Sequence, residues 1–229
     1  LGAEAGGVGW HAGVSHAARF PTMRELFGEA LGRFALNPDL RPETTWQAEV
    51  GAARRSPWFD ASATAFARRT ADAIEQAHLP DGRRQRVNLG GSRALGVEGS
   101  ATARRGVLRV DATATALYLR GDTEGGTVRL PERPAFLARV GAVRLPFTGW
   151  TVAGEAIATG PAVSLGPDGL LDLPASVVLG GRLGYRWRVG PGVLGAFVRV
   201  DNALDAVVLP QAGLPAPGRE VRAGLRWQG

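Results

Sequence analysis

Cysteine is absent, which excludes a disulfide framework, a thiolate metal site and a cysteine nucleophile. Lysine is absent too, so all 27 basic residues are arginine; they stand against 21 acids, for a net charge of +6. A nucleic-acid binder of this charge gathers its basic residues on one helix or arm. Here arginine runs along the whole chain with acids between, and no nucleic-acid partner is expected. No apolar run approaches the roughly 18–20 residues of a membrane-spanning helix; even Ala206–Gly218 falls well short. Only three histidines occur, His11, His16 and His78. With no HExxH, GxSxG or paired-acid motif, no catalytic residue, metal site or cofactor is expected. The start, Leu1-Gly2-Ala3-Glu4, lacks the basic and apolar segments of a signal peptide. The expectation is a removed leader, or a piece of a longer protein.

What remains is 229 residues, 45% hydrophobic, with 33 glycines and 15 prolines. That is too apolar for a disordered chain and too rich in turn residues for a helical bundle. The dominant pattern has period two. In Val107–Arg120, Leu108, Val110, Ala112, Ala114, Ala116 and Tyr118 alternate with Arg109, Asp111, Thr113 and Thr115. Successive strand side chains point to opposite faces, so this is a strand with one apolar and one wet face. The same alternation marks Thr45–Ala52, Trp58–Arg68, Leu95–Arg104, Trp150–Ala158, Val177–Arg188, Val193–Asp201 and Glu220–Gln228. It is weaker in Gly7–Phe20 and Pro134–Leu145. About ten antiparallel strands are predicted.

The connections alternate between long and short. Pro21–Glu43, Thr70–Arg84, Gly121–Arg133, Thr159–Ser176 and Asn202–Gly218 are long; Arg55–Pro57, Arg105-Gly106, Pro146–Gly149 and Val189–Gly192 are short. Transmembrane β-barrels sort their loops this way, with short periplasmic turns and longer outer loops. A soluble β-sandwich, the competing binding-module reading, has no reason to do so. Aromatic residues gather beside the short turns: Trp10, Trp58, Phe59, Phe147, Trp150, Trp187 and Trp227, with Trp46 the exception among the tryptophans. This is where an interfacial girdle belongs. The apolar face is mostly Ala, Val, Leu and Gly, which would leave a soluble core underfilled. The other face carries Glu49, Asp60, Glu98, Arg109, Asp111, Glu155, Arg182, Arg186, Arg199, Arg222 and Arg226. Those charges need water or partners, and a wet or plugged lumen supplies both.

Three stretches resemble the C-terminal part of TonB-dependent outer-membrane receptors. Ala18–Val50 carries Phe20, Pro21, Thr22, Glu25, Leu26, Asn37, Pro38, Leu40, Pro42, Glu43 and Trp46 in the family's order. Val87–Gly99 carries Asn88, Gly96, Val97 and Glu98. Val198–Leu225 carries Val200, Asn202, Leu204, Asp205, then Pro217, Gly218 and Arg219. Local physics accounts for many of them as well. Thr22 and Glu25 form a capping box, Asn37-Pro38 and Pro42 end the helix, Asn202 and Asp205 bond turn backbone, and Pro217-Gly218 turns into the last strand.

The resemblance implies an all-β antiparallel transmembrane barrel in a Gram-negative outer membrane. Residues 1–229 would supply about ten of the roughly 22 strands of plugged transporters. The plug and upstream strands would lie outside the chain, and the end Trp227-Gln228-Gly229 departs from the family's usual terminal aromatic. The implied function is active uptake of a scarce nutrient such as a ferric siderophore or cobalamin, energised by the TonB–ExbB–ExbD complex. The implied partners are the plug domain, outer-membrane lipid and that nutrient, with Pro21–Glu43, Thr159–Ser176 and Asn202–Gly218 contributing to capture. The eleven charged residues above would then contact the plug. A self-contained ten-strand pore or hydrolase is the alternative.

Overall fold

The computed structural model describes residues 1–28, 32–88, 90–123, 126–145, 148–166 and 169–229, excluding the side chains of His78 and Thr123. Phe147, expected in the aromatic girdle, and the His78 side chain therefore lie outside the described residues.

Eleven strands follow one another in a single antiparallel sheet. They are β1 (Gly2–Ala5), β2 (Val8–Arg19), β3 (Glu43–Arg55), β4 (Phe59–Ala71), β5 (Gly91–Arg105), β6 (Leu108–Thr123), β7 (Phe136–Arg144), β8 (Trp150–Thr159), β9 (Ser176–Val189), β10 (Gly192–Asp201) and β11 (Glu220–Gln228). Each pairs with its neighbours in this order, and Gly126–Arg129 folds back on β6 as a twelfth strand. β1 and β11 do not pair with each other among the described residues, so the sheet is open at both edges.

The ten expected strands are present, mostly a few residues longer than the alternation suggested. β1 was not foreseen: four residues are too few to show a period. It adds a further short turn at Gly6-Gly7, and the connections alternate without exception. In the two-residue turns Gly106-Val107 and Gly190-Pro191, the glycines have φ of 55° and 56°. Side-chain-bearing residues reach that left-handed region only at a cost.

Register sets the faces. Across β2 to β5, Ala12 opposes Val50, Val50 opposes Ala65, and Ala65 opposes Val97. Across β6 to β11 the rows run Ala112–Val140–Ala156–Leu179 and Leu183–Val198–Ala223. All the apolar half-strands thus fall on one continuous face. None of the described residues covers it. Val50, Val97 and Leu225 are 53%, 51% and 75% exposed, and among the described residues the buried hydrophobic ones are Leu40, Ile74, Ala162, Val163 and Leu173. The chain exposes 15517 Å², where a compact 24.0 kDa monomer exposes about 9,900 Å². A soluble sandwich would have buried that face against a second layer; the described residues form none.

The long connections carry structure of their own. Phe34–Ala35 pairs parallel with Arg84–Asn88, which pairs antiparallel with Ile74–His78. Ala162–Gly166 and Gly169–Leu173 form a hairpin. Short α1 (Met23–Phe27) begins at Thr22 with the expected capping box. Thr22 N–H donates to Glu25 Oε2 at 2.9 Å, and Glu25 N–H donates to Thr22 Oγ1 at 3.2 Å. Arg19 bridges Glu25 (3.0 Å) and Glu43 (2.6 Å), closing the base of this loop.

The Thr22 amide, then the Arg19 guanidinium and the Thr22 hydroxyl, hold the Glu25 carboxyl below its ordinary range. The folded chain therefore binds this proton less readily than the unfolded chain. The contribution is complete above about pH 4.3, the ordinary glutamate value, and is lost as pH falls through the lower folded-state value. Hydrogen exchange at the Glu25 and Leu26 amides should accelerate on acidification below that range, beyond the intrinsic trend. Glu25→Gln should remove that extra pH dependence. An unchanged profile in the variant would show that the cap does not depend on the carboxylate.

Candidate functional site

The second face is the polar one, and every charged residue expected there lies on it. Asp60 sits opposite Thr102, and Thr102 opposite Asp111; Glu98 sits opposite Thr64 and Thr115. Arg182, Arg199 and Arg222 form one row across β9, β10 and β11, and Arg186 and Arg226 flank Gly195 in another. Glu49 lies on the same face, opposite Phe66.

A chain of ion pairs crosses this face. Arg139 meets Glu155 at 2.7 Å, Glu155 meets Arg199 at 3.3 Å, and Arg199 meets Asp201 at 2.7 Å. Arg222 contacts Asp201 at 3.3 Å and Glu220 at 2.7 Å. β9 stands between Glu155 on β8 and Arg199 on β10, and the residue it presents there is Gly180. A Cβ on Gly180 would lie 3.3 Å from Glu155 Cγ; its absence lets the carboxylate reach across. Arg139, which sequence analysis did not single out, is the outer member of this chain. A second cluster joins Arg104 to Asp60 (2.7 Å), and Arg109 and the Thr102 hydroxyl to Asp111 (2.8 and 2.7 Å).

The remaining sites are less engaged. Glu49 accepts from Gln47 at 3.1 Å, and Arg182 lies 4.3 Å over the Phe197 ring. Glu98, Arg186 and Arg226 have no ion-pair partner among the described residues. A concavity of about 390 Å³ on this face is lined by Asp111, Arg139, Glu155, Gly180, Arg182 and Arg199, among others. Pairs this exposed stabilise weakly one by one. Together they make a wetted, mixed-charge wall able to meet another folded surface. Among the described residues no group of His, Asp and Glu could hold a metal ion.

The aromatic residues mark both rims of the apolar face. Trp10, Phe59, Trp150, Trp187 and Trp227 stand on it near the short turns, and Trp58 lies within one. Tyr185, not singled out before, joins them: its ring is 4.8 Å from Trp150 and 5.5 Å from Trp187. A second band sits toward the long connections. Trp46 packs on His16 at 4.5 Å, with Tyr118 and Phe136 on the same face. Along the chain Trp46 stands apart from the other tryptophans, because the strand pairing that brings His16 and Tyr118 into its band is not visible there. His11 lies on the polar face opposite Gly51 and His16 on the apolar face, as their parity predicts.

The motif residues lock the long connections together. Asn88 Nδ2 donates to Arg41 O (2.9 Å) and Asp72 O (2.6 Å), its Oδ1 accepts from Arg41 N–H (2.8 Å), and Asn37 Nδ2 donates to Arg86 O (2.8 Å). Asn202 donates to Ala206 O and accepts from Ala206 N–H, both at 2.9 Å, while Asp205 accepts from Arg219 N–H at 2.7 Å. Fully buried Ser164 accepts from Ala212 N–H at 3.0 Å, fastening the 162–173 hairpin to the 202–219 segment. No regular turn forms at Pro217-Gly218. Asn202 and Asp205 fix that approach instead.

The family described as "TonB dependent receptor-like, beta-barrel" matches residues 6–203. No curated protein matches the chain. Among solved structures, the copper transporter OprC superposes with a TM-score of 0.75 at 22% identity, over 95% of this chain and 36% of that one. The FrpB iron transporter from Neisseria meningitidis gives 0.73 at 15%, over 96% and 37%. The siderophore receptor PirA from Acinetobacter baumannii gives 0.73 at 18%, over 95% and 38%. The chain therefore spans little more than a third of the length of the structures it resembles, and those are transporters and receptors rather than enzymes. With the family match covering most of its length, and with a fold that superposes on receptor barrels, the chain belongs to the TonB-dependent receptor β-barrel family.

Proposed function

We propose that this chain is the C-terminal portion of the barrel of an outer-membrane active-transport receptor. The plug and the remaining strands complete it, and TonB energises it. The observation that carries this reading is the division of the sheet: an uncovered apolar face rimmed by aromatics, backed by a face holding all eleven singled-out charges. On β4 the apolar side runs from Phe59 to Arg69. Ten residue steps at about 3.3 Å, tilted by about 40°, give a band about 25 Å tall, the height of a barrel's lipid-facing belt.

The polar face lines the lumen and seats the plug through many weak, reversible contacts. The interlocked 20–42 and 74–88 segments, and the 160–175 and 202–219 segments, form the outer rim that captures substrate. The substrate class is a chelated metal or a nutrient of similar size, since the solved relatives include copper, iron and siderophore transporters. The test is uptake of labelled ferric siderophores and of copper by cells expressing the complete receptor, with and without a functional TonB. TonB-dependent accumulation of one of them is expected. Uptake that continues undiminished without TonB would point to a passive pore instead.

A further inference from the structure

The apolar face is not apolar to its edge. At the end carrying the long connections, four arginines stand directly opposite one another on four adjacent strands: Arg69, Arg93, Arg120 and Arg129. Register puts this row on the same face as Leu95, Tyr118 and Trp46, away from the polar wall. Directly opposed residues have Cβ atoms about 5 Å apart, and like charges there are destabilising. The chain relieves that repulsion only in part. Arg93 lies 3.5 Å from Asp122, and Arg129 is 2.8 Å from Asp172. Arg120 donates to Leu119 O and lies 4.5 Å over the Tyr118 ring, neither of which neutralises it. Arg69 has no ion-pair partner among the described residues. Four cations thus face two carboxylates.

Below the row is a groove of about 530 Å³ lined by Arg69, Arg93, Trp46, Leu95, Tyr118 and Ala67, among others. Guanidinium groups above an apolar, aromatic-walled groove match an amphiphile with phosphates at its head and acyl chains below. Arginine pairs with phosphate bidentately, and a basic cluster beside a lipid-facing surface is where anionic headgroups bind.

The geometry points to a binding site for a lipid of the outer leaflet that carries at least two phosphates and several acyl chains. Its phosphates neutralise the arginine row and its chains fill the groove. This rests on the outer-membrane reading above, because only there do these arginines lie at a lipid interface. The row spans three inter-strand steps, roughly 14 Å, which is long enough for two phosphates and too long for one.

The test uses the complete receptor in detergent, with lipid retention measured by native mass spectrometry. The probes are bisphosphorylated lipid A, its dephosphorylated form, phosphatidylglycerol and inorganic phosphate. An arginine near an anionic surface contributes about fivefold in affinity. The combined Arg69→Gln, Arg93→Gln and Arg120→Gln variant should therefore bind bisphosphorylated lipid A roughly 50-fold or more weakly. Arg54→Gln with Arg105→Gln and Arg144→Gln, at the opposite rim, should leave binding unchanged. Equal retention of the dephosphorylated form, equal retention of phosphatidylglycerol, or variant-sensitive binding of inorganic phosphate alone would each overturn the proposal. Heat-modifiable gel migration separates the two levels. A heat-modifiable receptor that ignores all four probes refutes the lipid site alone. A receptor that never forms a heat-modifiable barrel refutes the membrane reading and the site with it.

Discussion

Val97→Arg should destabilise the receptor barrel in lipid by about 2–4 kcal/mol, the cost of a basic side chain at the middle of a barrel's lipid face. Val97 is half exposed, with Ala65 opposite on one side and Ala116 on the other. No acid shares its row on these strands, and the nearest arginine of the rim on β5, Arg93, lies four residues away. A guanidinium there has neither water nor a carboxylate. Thr115→Arg is the matched control. Thr115 is on the other face, directly opposite Glu98, where a new cation gains a partner; its cost should stay within about 0.5 kcal/mol. Unfolding of the two variants by denaturant in lipid vesicles measures the difference. If both cost the same, the two faces do not meet different media.

Asn202→Ala should unfasten the 202–219 segment. Two terms add. Asn202 is buried and has φ of 49°, a left-handed conformation that asparagine tolerates and alanine adopts at a cost of about 1–2 kcal/mol. The substitution also strips the half-buried Ala206 N–H and carbonyl of their side-chain partner, and leaving them unpaired costs about 1 kcal/mol, the low end of the range for a buried group. Exchange of the Ala206 and Arg219 amides should accelerate by roughly 30-fold or more, with the sheet amides unaffected. Asn202→Asp keeps the acceptor for Ala206 and should fall between. Unchanged exchange in Asn202→Ala would mean that the segment is held from elsewhere, with Ser164 the next contact to remove.

The strands were legible because a half-buried strand writes its geometry into every second residue. Leu108 to Tyr118 on β6 and Leu225 and Trp227 on β11 could each be assigned to a face with no knowledge of their neighbours. The eleven charged positions followed from the same parity. What parity could not show is which strand lies beside which, and that hid the rest. The ion-pair chain depends on Gly180 presenting no side chain between Glu155 and Arg199, two strands apart. Trp46 looked isolated until pairing placed His16 beside it. The arginine row exists only across strands: Arg69, Arg93, Arg120 and Arg129 are separated in sequence by long connections or a tight reversal. The loop strands escaped for another reason. Segments such as Phe34–Ala35 and Ala162–Gly166 are too short for a period to emerge, and contacts with another loop set their structure.

The absence of native cysteine in this chain allows its central claim to be tested residue by residue. Single cysteines placed in turn from Ala61 to Ala67 on β4, in an otherwise cysteine-free receptor reconstituted in bilayers, can be spin-labelled. Their accessibility to oxygen and to a water-soluble nickel complex can then be compared. Hydrocarbon on one side and water or plug on the other predict strict alternation: labels at 61, 63, 65 and 67 favour oxygen, and those at 62, 64 and 66 do not. Uniform access of the nickel complex to all seven positions, or oxygen preference on the Ser62–Thr64 side, would contradict the account.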